Sequence, residues 1–418
     1  MLPRAGGSCI VPRPMSSPAA TPRFVIPAHA RERMIVSAAL ALALAGALTG
    51  CGDNAAPEDM TISTLRLIGQ QILPRRMEFE GTVVGGFSGI DYDAAHERYL
   101  LISDDRTTAD SPNPPRMYTA ALAFDESGFT EVTLLSTFPM KRPDGSVYPK
   151  VPDPDVADPE SVRIDPNTGN YVWVSEGDRA LTAMPPRLID PFIREIQPDG
   201  TAVRSYAVPA MFTMEAVEMG PRGNAVFEGL SFTPDRSRVA VITEGALFQD
   251  GPAATTLAGT VSRLTMFDAV TGEAAAQHAY PVERVQAEPV PAGAFTVNGP
   301  DEILALSRTR FLVLERSFSV GVIGNQVRLY EIDISEATDV LPMAALAGAT
   351  YAPVSKRMVL DFETLKDTLG GIANLEGLTF GPRLVNGHAS LVVVADDNFP
   401  TADSLTDKNQ ILVFEIMP

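Results

Sequence analysis

Four short stretches of this sequence place an acidic or small polar residue before an aliphatic one and a strand-like alternation. They are FSGIDY (87–92), PESVRI (159–164), FEGLSF (227–232) and NLEGLTF (374–380). Three carry a glutamate at the same point: Glu160, Glu228 and Glu376. Each copy continues through a turn into an apolar run that ends in acid: Asp104 and Asp105, Glu176, Glu244, and Asp396 with Asp397. A divergent copy, DEILALSRTRFLVLERS (301–317), carries Glu315 at the corresponding end. Carboxylates gathered in one place hold their protons more tightly unless a cation or an arginine offsets them. Calcium, a hard cation that takes about six to eight oxygens, suits such a set. Arg106, Arg163, Arg179 and Arg316 stand close by in sequence, and guanidinium groups recognise phosphate or carboxylate bidentately. The chemistry open to this set is capture of an anionic ester by metal and arginine together. On that reading Glu160, Glu228 and Glu376 are the catalytic candidates and the four arginines are substrate ligands. Asp104, Asp105, Glu176, Glu244, Asp396 and Asp397 are then the metal ligands. For each acid and arginine, a structural use in capping strands or bridging neighbouring sheets is equally open.

Other chemistries find little support. The four histidines, His29, His96, His278 and His388, make no zinc pattern. There is no Gly-x-Ser-x-Gly elbow, P-loop or dinucleotide-binding glycine signature. The acidic loop PDPDVADPE (152–160) offers Asp153, Asp155 and Asp158, but it lacks the glycine of an EF-hand.

The motif recurs every 68 to 75 residues, and each copy is followed by a third strand-like run such as RMYTAALAF (116–124) or VRLYEIDIS (327–335). A fourth run follows in all copies but the last, after which the chain ends two residues beyond QILVFEI (410–416). An orphan strand, STLRLIGQQILP (63–74), precedes the first copy. The pattern predicts an all-β protein, a β-propeller of five four-stranded blades closed by the N-terminal strand, with six blades as the alternative. Closure leaves no sheet edge exposed. The start-of-strand glutamates are expected to share one place, and the acids that end the second strands are expected elsewhere along the channel. The one helix expected after the N-terminal region lies within 336–349.

The chain has 418 residues and 33 Lys plus Arg against 52 Asp plus Glu, a formal charge of −19, which disfavours nucleic acid as a partner. Arg31 and Arg33 precede an apolar run that ends in Leu48-Thr49-Gly50-Cys51. The run is short for a membrane span and fits a secretory signal (34–51), with 1–33 an extension ahead of it and 52–61 a tether. Its ending is similar to a bacterial lipoprotein signal, which implies lipidation at Cys51 and attachment to the cell envelope. Residues 62–418 form the domain.

Taken in order, GFSGIDYD…YLLISDDR, DPESVRID…YVWVSEG, FEGLSFTPD…VAVITEG and NLEGLTF…LVVVADDN resemble the bacterial phytase-like family with esterase-like activity. The resemblance covers roughly 78–418. It implies a secreted, monomeric, propeller-like hydrolase of phosphate esters or related esters, distantly similar to calcium-dependent phytases. The competing expectation is a non-enzymatic cell-surface propeller that binds a ligand or protein.

Overall fold

Runs such as YLLI, YVWV and LVVVA are continuously apolar because both faces of these strands are buried. The computed structural model describes residues 60–106, 113–151, 153 and 155–418. The extension, the signal with Cys51 and the tether as far as residue 59 lie outside them. Five four-stranded antiparallel sheets make up the domain. Blade 1 comprises Phe87–Asp93, Arg98–Ser103, Arg116–Asp125 and Gly128–Pro139. Blade 2 comprises Pro159–Ile164, Tyr171–Ser175, Phe192–Ile196 and Ala202–Ser205. Blade 3 comprises Phe227–Phe232, Arg238–Thr243, Thr260–Asp268 and Ala274–Val282. Blade 4 comprises Thr296–Ala305, Arg310–Ser319, Gln326–Asp333 and Ser355–Asp361. Blade 5 takes Asn374–Phe380, Ser390–Asp396 and Gln410–Met417 from the C-terminal end and Thr64–Ile72 from the N-terminal end. The register of that last pairing runs from Thr64 opposite Met417 to Ile72 opposite Gln410.

Alternation along each second strand divides its side chains between two neighbours. Leu100 and Ile102 pack toward blade 2, whereas Tyr99 and Leu101 pack toward blade 5. Val172 and Val174 meet blade 3, and Tyr171 and Trp173 meet blade 1. Five apolar clusters therefore fill the five interfaces of the ring. Residues 336–349 are turns rather than a helix. Helical turns form instead at Phe362–Leu365 and Lys366–Leu369, where Asp361 caps the first by accepting from the Glu363 N–H.

The inner strands lie shoulder to shoulder around the axis. A Cβ on Gly229 would stand 2.7 Å from Glu302 Cα, and one on Gly377 would stand 2.9 Å from Gly89 Cα. The small residue after the acid is thus dictated by the next inner strand. Ser161 and Glu302 hold this position in blades 2 and 4, and their side chains reach inward. The Ser161 hydroxyl donates to the Glu302 carboxylate at 2.9 Å, and Leu230 N–H donates to it at 3.1 Å. Arg163 pairs with the same carboxylate at 2.9 Å. Its Nη1 donates to the carbonyls of Ile90 and Val162 at 2.7 and 2.9 Å. Its Nη2 donates to those of Ile303 and Leu378 at 3.2 and 3.0 Å. One arginine and one glutamate thereby tie all five blades together. This revises the expectation that Arg163 is a substrate ligand at the acidic mouth. It is 2 % exposed, and its terminal nitrogens are taken by the blades themselves.

Candidate functional site

In every blade the pairing between inner and second strand slips by one residue at the same point, a recurrent β-bulge. Ser88 is passed over between Phe87 and Gly89, Glu228 between Phe227 and Gly229, and Glu376 between Leu375 and Gly377. In blade 2 the slip takes in Glu160 and Ser161, and in blade 4 it takes in Asp301. Aligned on the bulge, the second-strand residue one beyond the partner of the pre-bulge residue is Asp104, Glu176, Glu244, Arg316 and Asp396 in blades 1 to 5. In an antiparallel hairpin the start of one strand neighbours the end of the next. The two acidic sets therefore share one mouth, which corrects the expectation that they lie apart. The same alignment shows that the divergent fourth copy keeps its acid. Asp301 is the ring residue, and Glu302 stands where other blades have glycine or serine.

The electrostatics follow from this crowding. Burial pushes the Glu228 carboxyl well up, and Glu176, Glu244, Asp301 and Glu376 push it further. Glu160 is raised well above its ordinary value by burial and then by Glu228, Asp104, Asp158 and Glu176. Asp396 is raised by burial, Glu376 and Asp104. Burial lifts Glu176 to about 7 against the pull of Arg106, and Glu244 to about 8 against that of Arg316. Two guanidinium groups face these acids. Arg106 meets Asp158 at 2.8 Å, while Arg316 meets Asp301 at 2.8 Å, Glu376 at 3.4 Å and Glu244 at 3.8 Å. Both arginines are held firmly protonated by the surrounding carboxylates.

These shifts fix a pH dependence. The folded protein holds protons that the unfolded chain releases, starting from the ordinary glutamate value of 4.5 and extending to about 8 at Glu244. Stability is therefore fully present below that ordinary value and is lost as pH rises through the folded values. In the presence of chelator the melting temperature should fall between pH 5 and pH 8, and calcium should flatten the fall, as thermal scans across that range would show. A melting temperature that rises with pH in chelator would contradict the crowding.

Carboxylate oxygens of Asp104, Asp158 and Glu160 lie within 4.8 Å of one another, a group that could hold a metal ion. Asp104 Oδ1 and Asp158 Oδ1 are buried and find no hydrogen-bond donor among the described residues. Three hard oxygen donors in one place, two of them on residues with unsatisfied buried oxygens, fit a cation such as calcium. Asp158 enters through the acidic loop ahead of blade 2. Its signal in sequence is its place two residues before Glu160, and the EF-hand comparison obscured it.

Several expected ligands are placed elsewhere. Asp105 is buried against Arg116 at 2.5 Å, on the blade side of its strand end. Asp397 accepts from Gly86 N–H at 3.0 Å and from the Asn409 amide at 2.9 Å, closing blade 5 onto blade 1. Arg179 belongs to a peripheral hairpin, Asp178–Ala180 with Arg187–Ile189. It donates to Glu215 O at 2.9 Å and lies over the Phe248 ring. Glu315, one residue before the ring position, faces a blade interface, where it meets Lys356 at 2.6 Å and accepts from the Tyr280 hydroxyl at 3.0 Å.

A five-bladed propeller whose bulged inner strands converge on one acidic mouth is the class that fold and site define. Residues 82–399 match the family described as "Phytase-like: Esterase-like activity of phytase", and the chain belongs to that family. Family membership supports a hydrolase. No curated protein matches the chain. Among solved structures, a thermostable family-43 glycoside hydrolase is similar at 8% identity and TM-score 0.45, over 80% of this chain and 90% of its own. A periplasmic gluconolactonase of Pseudomonas aeruginosa is similar at 9% identity and TM-score 0.35, over 81% and 91%. A protein of unknown function from Dyadobacter fermentans is similar at 12% identity and TM-score 0.40, over 85% and 100%.

Proposed function

We propose that the acidic mouth hydrolyses phosphate esters with the help of calcium. The observation that carries the reading is the group Asp104, Asp158 and Glu160, in which buried oxygens of Asp104 and Asp158 find no donor among the described residues, with Arg106 alongside. Calcium bound there supplies Lewis-acid polarisation of a phosphoryl oxygen. Arg106 and Arg316, on two sides of the mouth, orient the anionic ester and offset its charge. Glu244, whose carboxyl is raised to about 8, keeps a proton at neutral pH that it can give to the leaving oxygen. A cation held by Asp104, Asp158 and Glu160 would favour the ionised form of the neighbouring Glu228, and Glu228 would then orient an attacking water and accept its proton.

The reading is tested on purified protein with p-nitrophenyl phosphate, phytate and p-nitrophenyl acetate, each with calcium and with chelator. Calcium-dependent hydrolysis of the phosphate esters is expected, and Asp158→Asn should reduce it about 10- to 100-fold, as loss of one ligand-sphere group does. Turnover of the acetate alone, unaffected by chelator, would replace phosphate chemistry with carboxyl-ester chemistry. No turnover of any substrate would favour a binding propeller. We further propose that Cys51 anchors the protein at the bacterial cell envelope. Cys51→Ala should release it from membranes, and a wild type that takes up no fatty-acid label would overturn the anchor.

A further inference from the structure

The channel has a second mouth, at the other end of the inner strands, where a cavity of about 350 Å³ opens. Its volume falls in the range of about 300–1,000 Å³ typical of small-molecule sites. All five blades contribute, through Asp91, Arg163, Ser231, Leu304 and Thr379 among others, and no acid of the opposite ring lines it. The Arg163–Glu302 pair lies between this cavity and the acidic mouth.

The lining combines a polar floor with apolar walls. The Asp91 carboxylate accepts from the Thr379 hydroxyl at 3.0 Å and from Ile164 N–H at 2.8 Å. Arg163 lines the floor, and its buried Nε–H has no acceptor among the described residues. Pro166, Tyr171, Phe232 and Phe380 supply apolar wall. The charges balance locally. Asp91, Asp93 and Asp165 face Arg98, Arg163 and Arg236. Asp93 is already paired with Arg98 at 3.2 Å and His96 at 2.7 Å, and Asp165 caps its own turn at Asn167 N–H, 2.8 Å. Arg163 is held by Glu302, and Asp91 by the Thr379 hydroxyl and Ile164 N–H, so an incoming ion would have to displace these contacts and be desolvated, which is costly. An uncharged compound with hydroxyl groups and an apolar ring face fits this polar floor and these apolar walls.

We propose that this cavity binds an uncharged, hydroxyl-bearing ring compound of monosaccharide size. The proposal is independent of whether the acidic mouth is catalytic. Full-length mature protein is titrated with D-glucose, D-glucuronate and D-glucosamine by calorimetry and ligand-observed NMR; the three share the pyranose ring and its size and differ in the charge of one substituent. Glucose is expected to bind, and both charged analogues are expected to bind at least about tenfold more weakly. Ala95→Trp, on the exposed turn at the rim, should abolish glucose binding and leave melting and calcium response unchanged. Thr379→Val, which removes the hydroxyl on Asp91, should weaken binding in a protein of unchanged fold. Absence of glucose binding, a preference for glucuronate, or glucose binding unaffected by Ala95→Trp would each overturn the proposal. Ester hydrolysis assayed on the same samples reports on the opposite mouth separately.

Discussion

Arg163→Met should cost about 3–5 kcal/mol of folding stability, the usual consequence of removing one partner from a buried ion pair. Glu302 is fully buried, and its carboxyl is already pushed up to about 7 by burial despite the arginine. Without Arg163 it must be protonated or stay charged without compensation. Four backbone carbonyls from four blades lose their donor at the same time. The double variant Arg163→Met, Glu302→Gln removes the stranded charge and should recover part of the loss, a coupling that separate structural roles would not produce. Chemical denaturation of the single and double variants measures this. A single-variant loss below about 1 kcal/mol would mean that the blades hold together without the central pair.

Deletion of residues 61–75 should leave no soluble, cooperatively folded monomer. Within it Thr64–Ile72 pairs with Gln410–Met417, and Ile62 and Leu73 enter the core. Each such buried side chain contributes about 1.5–3 kcal/mol. Its Arg66 also meets Glu415, which holds His388 at 2.6 Å. Removing the strand exposes the unpaired edge of Gln410–Met417, a template for pairing between molecules. Size-exclusion chromatography and thermal unfolding decide the outcome. A monomeric truncation with unchanged melting would show that the ring does not need this strand.

The blade count and the closing strand were legible because periodicity and apolar runs report burial directly. FEGLSF and NLEGLTF repeat the geometry of a bulge, and the two terminal strands of STLRLIGQQILP and QILVFEI each lack a partner within their own repeat. The acidic mouth was legible as composition, less so as geometry. That Glu160 and Glu176 stand together follows from hairpin connectivity, which reading along one strand overlooks. Asp301 was hidden by its neighbour, because Glu302 occupies the position of glycine and draws attention away from the acid before it. Arg163 could not be distinguished from Arg106 by spacing alone. Only the approach of four inner strands shows that its nitrogens serve carbonyls 73 to 215 residues away.

The central pair also bears on how the molecule comes apart. In an open array of repeats each unit leans only on its neighbours, so ends can fray and units can melt in turn. Here the ring has no end, and Arg163 of blade 2 bonds directly to blades 4 and 5, which are not its neighbours on both sides. No blade can leave without breaking the shared centre. Slow-exchanging amides should therefore be spread evenly over all five inner strands, and the domain should melt as one cooperative unit.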